Sequence, residues 1–166
     1  KRYPGWAASL AMNVPDEAVK EVERATKNGA CAIQLHTNVD GAPLDEPQFW
    51  PVFEAIEKSG KPILLHPIRT REMADYRNED KSKYEICSVI GWPFETGACL
   101  ARLVFSGIID KHPGLRIITH HLGGGMIPFF DGRIGPGMDV LGSRTIDEDH
   151  TKVLSSLKRP HLEYFK

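Results

Sequence analysis

Four short apolar runs, at residues 6–12, 30–35, 63–65 and 115–119, constrain the fold of this chain more than any other feature of it. Each is near-continuous rather than alternating. That is the pattern of a strand buried on both faces, as in a parallel sheet covered by helices. The intervening stretches carry helical spacing. Between the first two runs, Ala18, Val22 and Ala25 recur on one face of residues 16–28, with acids early, Lys27 late and Gly29 as the stop. A second helix is predicted from Asp45-Glu46-Pro47 through Phe49, Trp50, Phe53 and Ile56 to Ser59-Gly60. Residues 84–90 predict a short helix broken at Gly91-Trp92-Pro93, and residues 94–109 a long one. After the last run, helix is expected over 126–133 and 148–157, separated by a Gly/Pro-rich break over 135–142.

Strand followed by helix, four times over, fits either a doubly wound sheet or a (β/α)8 barrel. In both, function gathers at the carboxyl ends of the strands. His36, His66, His120 and His121 all fall there, whereas His112 precedes a strand and His150 and His161 sit in a polar tail. The last three are expected to be structural. An eight-stranded barrel typically needs about 250 residues. With 166 residues and four strand–helix units, the chain is expected to be an interior piece of a longer protein, folded as one partial domain.

The net charge of -1 gives no reason to expect nucleic acid or an anionic membrane as partner. No apolar run reaches the roughly 20 residues of a membrane span, and no basic-then-apolar leader opens the chain, so the expected compartment is the cytoplasm. Cys31, Cys87 and Cys99 follow no metal-like spacing and are expected to be reduced and mostly buried.

Two strands deliver imidazoles at their ends: Pro62-Ile63-Leu64-Leu65-His66-Pro67, and Ile117-Ile118-Thr119-His120-His121, which runs into Leu122-Gly123-Gly124-Gly125. A neutral imidazole is the commonest metal ligand and titrates near neutral pH. His36, His66 and His120 or His121, on successive strands, are candidates to converge at a barrel mouth. Because adjacent strand residues face opposite ways, His120 and His121 cannot both point inward from a regular strand. Alternation leaves open which of them does. The triple glycine could cradle a phosphate, but it fits no nucleotide-binding pattern and two histidines precede it.

These residues carry a resemblance. The stretch 117–129 with Gly132-Arg133-Ile134 resembles the amidohydrolase-related (amidohydrolase 2) family of aminocarboxymuconate-semialdehyde decarboxylase and related non-oxidative decarboxylases. Residues 29–38, Pro62-Ile63-Leu64-Leu65-His66-Pro67 and Trp92-Pro93-Phe94-Glu95-Thr96 are similar to it too. The resemblance implies a (β/α)8 TIM-type barrel of which this chain covers strands three to six. It implies one divalent metal, usually zinc (Zn2+), held by an H-x-H pair on the first strand, a histidine ending the fifth and an aspartate ending the eighth. His66 matches the fifth-strand metal ligand. His121 best matches the sixth-strand catalytic histidine, with His120 the weaker match, and Arg133 matches a position read as structural.

The chain departs from the family pattern in holding no H-x-H pair and no assignable eighth-strand aspartate. Taken alone it is expected to bind metal weakly and to be inactive, since a catalytic zinc typically has three protein ligands. The expected function is metal-dependent hydrolysis or non-oxidative decarboxylation of a small carboxylated substrate, in a homo-oligomer. Arg69 and Arg71, in a long loop over 67–83, are candidates for a substrate carboxylate. The alternative is a non-catalytic α/β module that binds a partner through an exposed edge.

Overall fold

The computed structural model describes residues 2–121, 123–126, 131–132, 135–140, 150 and 152–165. Strands β1 (Ala7–Ser9), β2 (Ala32–His36), β5 (Ile63–His66) and β6 (Ile117–Thr119) form one sheet in the order β1-β2-β5-β6. All three pairings are parallel. Helix α1 (Pro15–Lys27) follows β1, and α2 (Trp50–Ser59) precedes β5. The short α3 (Ile86–Val89), then α4 (Gly91–Phe105) and α5 (Ile108–Lys111), lie between β5 and β6. This is the strand–helix succession of a barrel, over four units.

The helices cover one face of the sheet. Ile33 and Leu35 of β2 and Ile63 and Leu65 of β5 are at most 1% exposed and share a core with Ala18, Val22 and Ala25 of α1 and Val52, Phe53 and Ile56 of α2. Gln34, Leu64 and Ile118 stand on the other face by alternation, and Ile118 is 52% exposed. The continuous apolar runs therefore resolve into two unequal faces among the described residues.

Several boundaries differ from the sequence expectation for identifiable reasons. The stretch beyond β2 folds into a small antiparallel pair, β3 (Asn38–Val39) and β4 (Ala42–Pro43), in place of plain loop. Helix α4 starts at Gly91 rather than breaking there, because Pro93 falls in the first turn, where its missing N–H is no loss. The long helix expected over 94–109 stops at Phe105, and Gly107 at φ 78° turns the chain before α5. Much of the helix expected over 126–133, including Arg133, lies outside the described residues. So does the start of the one expected over 148–157, of which Val153–Ser156 is helical.

Two anchors hold the amino-terminal side of the sheet and the tail. Glu57 of α2 accepts from Gly114 N (2.7 Å) and bonds His112 Nδ1 (2.9 Å), so the buried His112 is structural, as expected. Asp110 accepts from Tyr164 Oη (2.5 Å) and Lys158 N (3.0 Å), docking the tail on α5. The Gly114 amide, and then His112, hold the Glu57 carboxyl below the usual carboxylate range. A carboxyl depressed in the folded state contributes stability that is full above its unfolded value and lost as pH falls through the folded one. Thermal melts should thus separate wild type from Glu57→Gln at neutral pH, and the gap should close below about pH 4.

The three cysteines are free, but only Cys99 is buried; Cys31 is exposed and Cys87 half-buried. The expectation of mostly buried thiols fails at Cys31, whose Sγ bonds Trp6 O at the sheet edge (3.0 Å). Burial pushes the Cys99 thiol up to about 12, so it holds almost no thiolate at neutral pH. Mass spectrometry after brief alkylation should find Cys31 modified first, and Cys99 only in denaturant.

Candidate metal and catalytic site

Register brings the strand-end histidines into a row. His36 pairs laterally with His66, and the β5–β6 ladder, continued by His120 N donating to Leu65 O (3.0 Å), sets His120 on the other side of His66. Ring centroids lie 5.8 Å apart for His36 and His66 and 5.1 Å apart for His66 and His120. His120 keeps the parity of Ile118 and shares its face. His121 follows a different rule. The strand has ended, and His121 sits at φ 50°, a left-handed turn that swings its ring back over His66. Its Nε2 lies 2.9 Å from His66 Nε2. Both histidines thus reach one site, an arrangement that regular alternation forbids.

One donor atom from each of His66, His120 and His121 lies within 4.8 Å of the others, a donor set suited to a divalent transition metal. His66 Nδ1 lies 2.5 Å from Pro67 O, which can only accept, so Nδ1 carries the proton and Nε2 presents a lone pair. His121 Nε2 must then be the donor in the contact between the two rings. Burial, then the neighbouring His66, lowers the tendency of both His36 and His120 to take up a proton. Neutral imidazole is the ligating form.

The first turn of α4 closes over this cluster. Trp92 packs its ring 4.4 Å from that of His121 and donates Nε1–H to Arg69 O (2.8 Å). Glu95, one turn further on, accepts from Thr37 Oγ1 (2.6 Å), Asn38 Nδ2 (2.8 Å) and Arg69 N (2.8 Å). In the sequence Trp92 stands as part of a predicted helix break and, with Glu95, in the stretch that carries the family resemblance. Their i, i+3 spacing at a helix start, beside a strand end, was the available signal.

The loop over 67–83 is internally bonded. Arg69 donates to Ala74 O (3.1 Å) and lies 3.6 Å from Asp75 Oδ1, while Asp75 Oδ2 accepts from Ser82 Oγ and Lys83 N (2.8 and 3.1 Å). The Arg69 guanidinium is therefore spent on the loop itself rather than held out for a substrate carboxylate. Arg71 is exposed and lines a cavity of about 520 Å³ with Lys83, Tyr84 and Trp92. Gly91 lets the Arg69 stem pass, since a Cβ there would meet Arg69 Cδ at 2.5 Å. His161 is buried and lies 3.8 Å from Asp139.

Comparison with known proteins places the chain among decarboxylase-like sequences and folds. The chain is 33% identical over 141 residues to 2-amino-3-carboxymuconate-6-semialdehyde decarboxylase of Dictyostelium discoideum, covering 84% of this chain and 37% of that protein. It is 34% identical over 132 residues to gamma-resorcylate decarboxylase of a Polaromonas species, covering 75% of this chain and 40% of the relative. The chain thus spans about two-fifths of the length of these relatives. The crystal structure of 5-carboxyvanillate decarboxylase from Novosphingobium aromaticivorans with bound manganese superposes with a TM-score of 0.71 at 28% identity, over 86% of this chain and 40% of that one. The sheet and its helices are part of a (β/α)8 barrel, and with residues 1–141 matching the family's sequence model, the chain belongs to the amidohydrolase family (Amidohydro_2).

Proposed function

We propose that the protein carrying this sequence is a metal-dependent non-oxidative decarboxylase of a small carboxylated aromatic or dienoic acid. The observation that carries the reading is the 2.9 Å approach of His66 Nε2 and His121 Nε2 at the carboxyl ends of neighbouring strands. The names of the relatives, all decarboxylases, support the reaction class. His66 would hold the metal through Nε2, with His120 offering a further imidazole. The remaining family ligands have no counterpart in this chain. A divalent cation at this site supplies Lewis-acid stabilisation of negative charge developing on the substrate. Zinc is the metal the family resemblance favours, and manganese is the ion in the related crystal structure.

His121 Nε2–H points at the His66 Nε2 lone pair. A cation held by His66 Nε2 would leave that proton to face substrate. His121 in its imidazolium form would give its Nε2 proton to the carbon that bears the carboxylate, the substrate's π pair forming the new C–H bond and His121 being left neutral. The carbon–carboxylate bond then breaks, its electron pair restores the π bond, and CO2 leaves. Trp92, packed on the His121 ring, limits its rotation.

Residues 1–166 are read as a single partial barrel domain, and the docking of the tail on Asp110 supports that reading. Val89, Ile90 and Phe94 are 70%, 62% and 66% exposed, which favours the expected homo-oligomer. Among the described residues no helix is long and apolar enough to cross a membrane, and a cytoplasmic site of action is part of the proposal.

The test uses the full natural chain. Elemental analysis should find about one divalent metal per chain, and carboxylated phenols and dienoic acids should release CO2. His66→Ala should lose both metal and turnover. Retention of both by that variant would falsify the reading.

A further inference from the structure

We propose that Glu95 is the positioning residue of this site, acting on His66 by tying together the two segments that flank it; the inference rests on His66 being a site residue. The geometry forms a closed ring. His66 O accepts from Thr37 N (3.1 Å), and the Thr37 hydroxyl donates to Glu95 Oε1. Asn38 Nδ2 donates to the same oxygen. Glu95 Oε2 takes the N–H of Arg69, three residues past His66, whose carbonyl is held by Trp92 from the same helix turn. The tripeptide His66-Pro67-Ile68 is thus held before and after by one carboxylate. Inside that ring lies Pro67 O, the acceptor that fixes the His66 ring with Nε2 presented.

Among the described residues Glu95 makes no ion pair with Lys or Arg, and its three partners are neutral donors approaching two oxygens. Only a carboxylate offers acceptors on both sides. A carboxamide keeps one oxygen, so Glu95→Gln sets an N–H against either the Arg69 N–H or the Asn38 amide, whose own oxygen already accepts from Gly41 N. A buried polar group facing a like group turns away, and the ring opens.

The prediction has a readout that needs no metal. In metal-free wild type, the His66 Nδ1–H should give a downfield ring resonance protected from solvent exchange. Glu95→Gln should broaden or lose that resonance. It should also weaken Co2+ affinity by about 10- to 100-fold, as for other outer-shell partners of a metal ligand. Adding Asn38→Asp should restore both signals, because the new carboxylate at 38 accepts the carboxamide N–H. Thr37→Val keeps the backbone bond to His66 and removes one donor, and should produce the same change in smaller measure. It decides the matter if Glu95→Gln does not fold.

A resonance and Co2+ affinity that both stay within about twofold of wild type in folded Glu95→Gln overturn the inference. So does an unchanged resonance in Thr37→Val when Glu95→Gln is unfolded. If wild type binds no Co2+ and Glu95→Gln still loses the ring resonance, the positioning role stands and the metal reading alone fails.

Discussion

Under the proposed function, replacing His121 with asparagine should lower the decarboxylation rate of the metal-loaded full chain by about 10²- to 10⁴-fold, the usual worth of a positioned proton donor. Asparagine is the informative choice. His121 sits at φ 50°, and asparagine tolerates the left-handed region better than most non-glycine residues. The turn therefore survives, and the loss reports the missing proton rather than a refolded loop. His66 loses its Nε2 contact, yet its Nδ1 bond to Pro67 O remains. Metal content should accordingly stay near wild type while kcat falls and KM changes little. His121→Val, with a β-branched side chain at a left-handed position, should also lower the melting temperature. A His121→Asn enzyme running within about tenfold of wild type would remove His121 from the chemistry.

Phe53→Ala costs about 3–5 kcal/mol, a large share of the roughly 5–15 kcal/mol that holds a typical domain folded. Phe53 lies on the inner stripe of α2, fully buried between Val52 and Ile56 in sequence and within the core that includes Ile33, Leu35, Ile63 and Leu65. Its ring joins α2 to the face of the sheet opposite the histidine row. Removing it leaves a cavity that helix and sheet can close only by moving together. The urea midpoint should drop sharply with little change in slope. A shift corresponding to less than about 1 kcal/mol would mean that α2 is not the main cover of this face.

The parts of the fold that were legible in the sequence are those that a local pattern encodes. The runs ending at His36, His66 and His120 announced buried parallel strands because apolar residues stand on both faces of each. The α1 stripe of Ala18, Val22 and Ala25 announced its helix in the same way. The break at Gly107 was masked by apolar spacing that runs on past it. The start of α4 was misjudged because Pro93 reads as a breaker when it is in fact a first-turn residue. The His66–His121 pairing was anticipated from the resemblance and from strand-end placement, but its geometry was not. Histidine is enriched in the left-handed region, but only as a weak signal, and it is that backbone that resolves the parity question at His120 and His121. Arg69 stands as a candidate in the sequence because it lies in a long loop just past His66. Its engagement with Ala74 O and Asp75 depends on a loop path that no local pattern specifies.

The left-handed turn at His121 means that the two adjacent imidazoles are mounted by separate mechanical supports. His120 rides on the ladder with β5, whereas His121 lies past it on a left-handed turn, held by its contacts with His66 and Trp92. Strain applied to the glycine segment that follows will re-aim His121 while the His36–His66–His120 row keeps its spacing. The placement of His121 over His66 can thus change independently of the ladder that fixes His120.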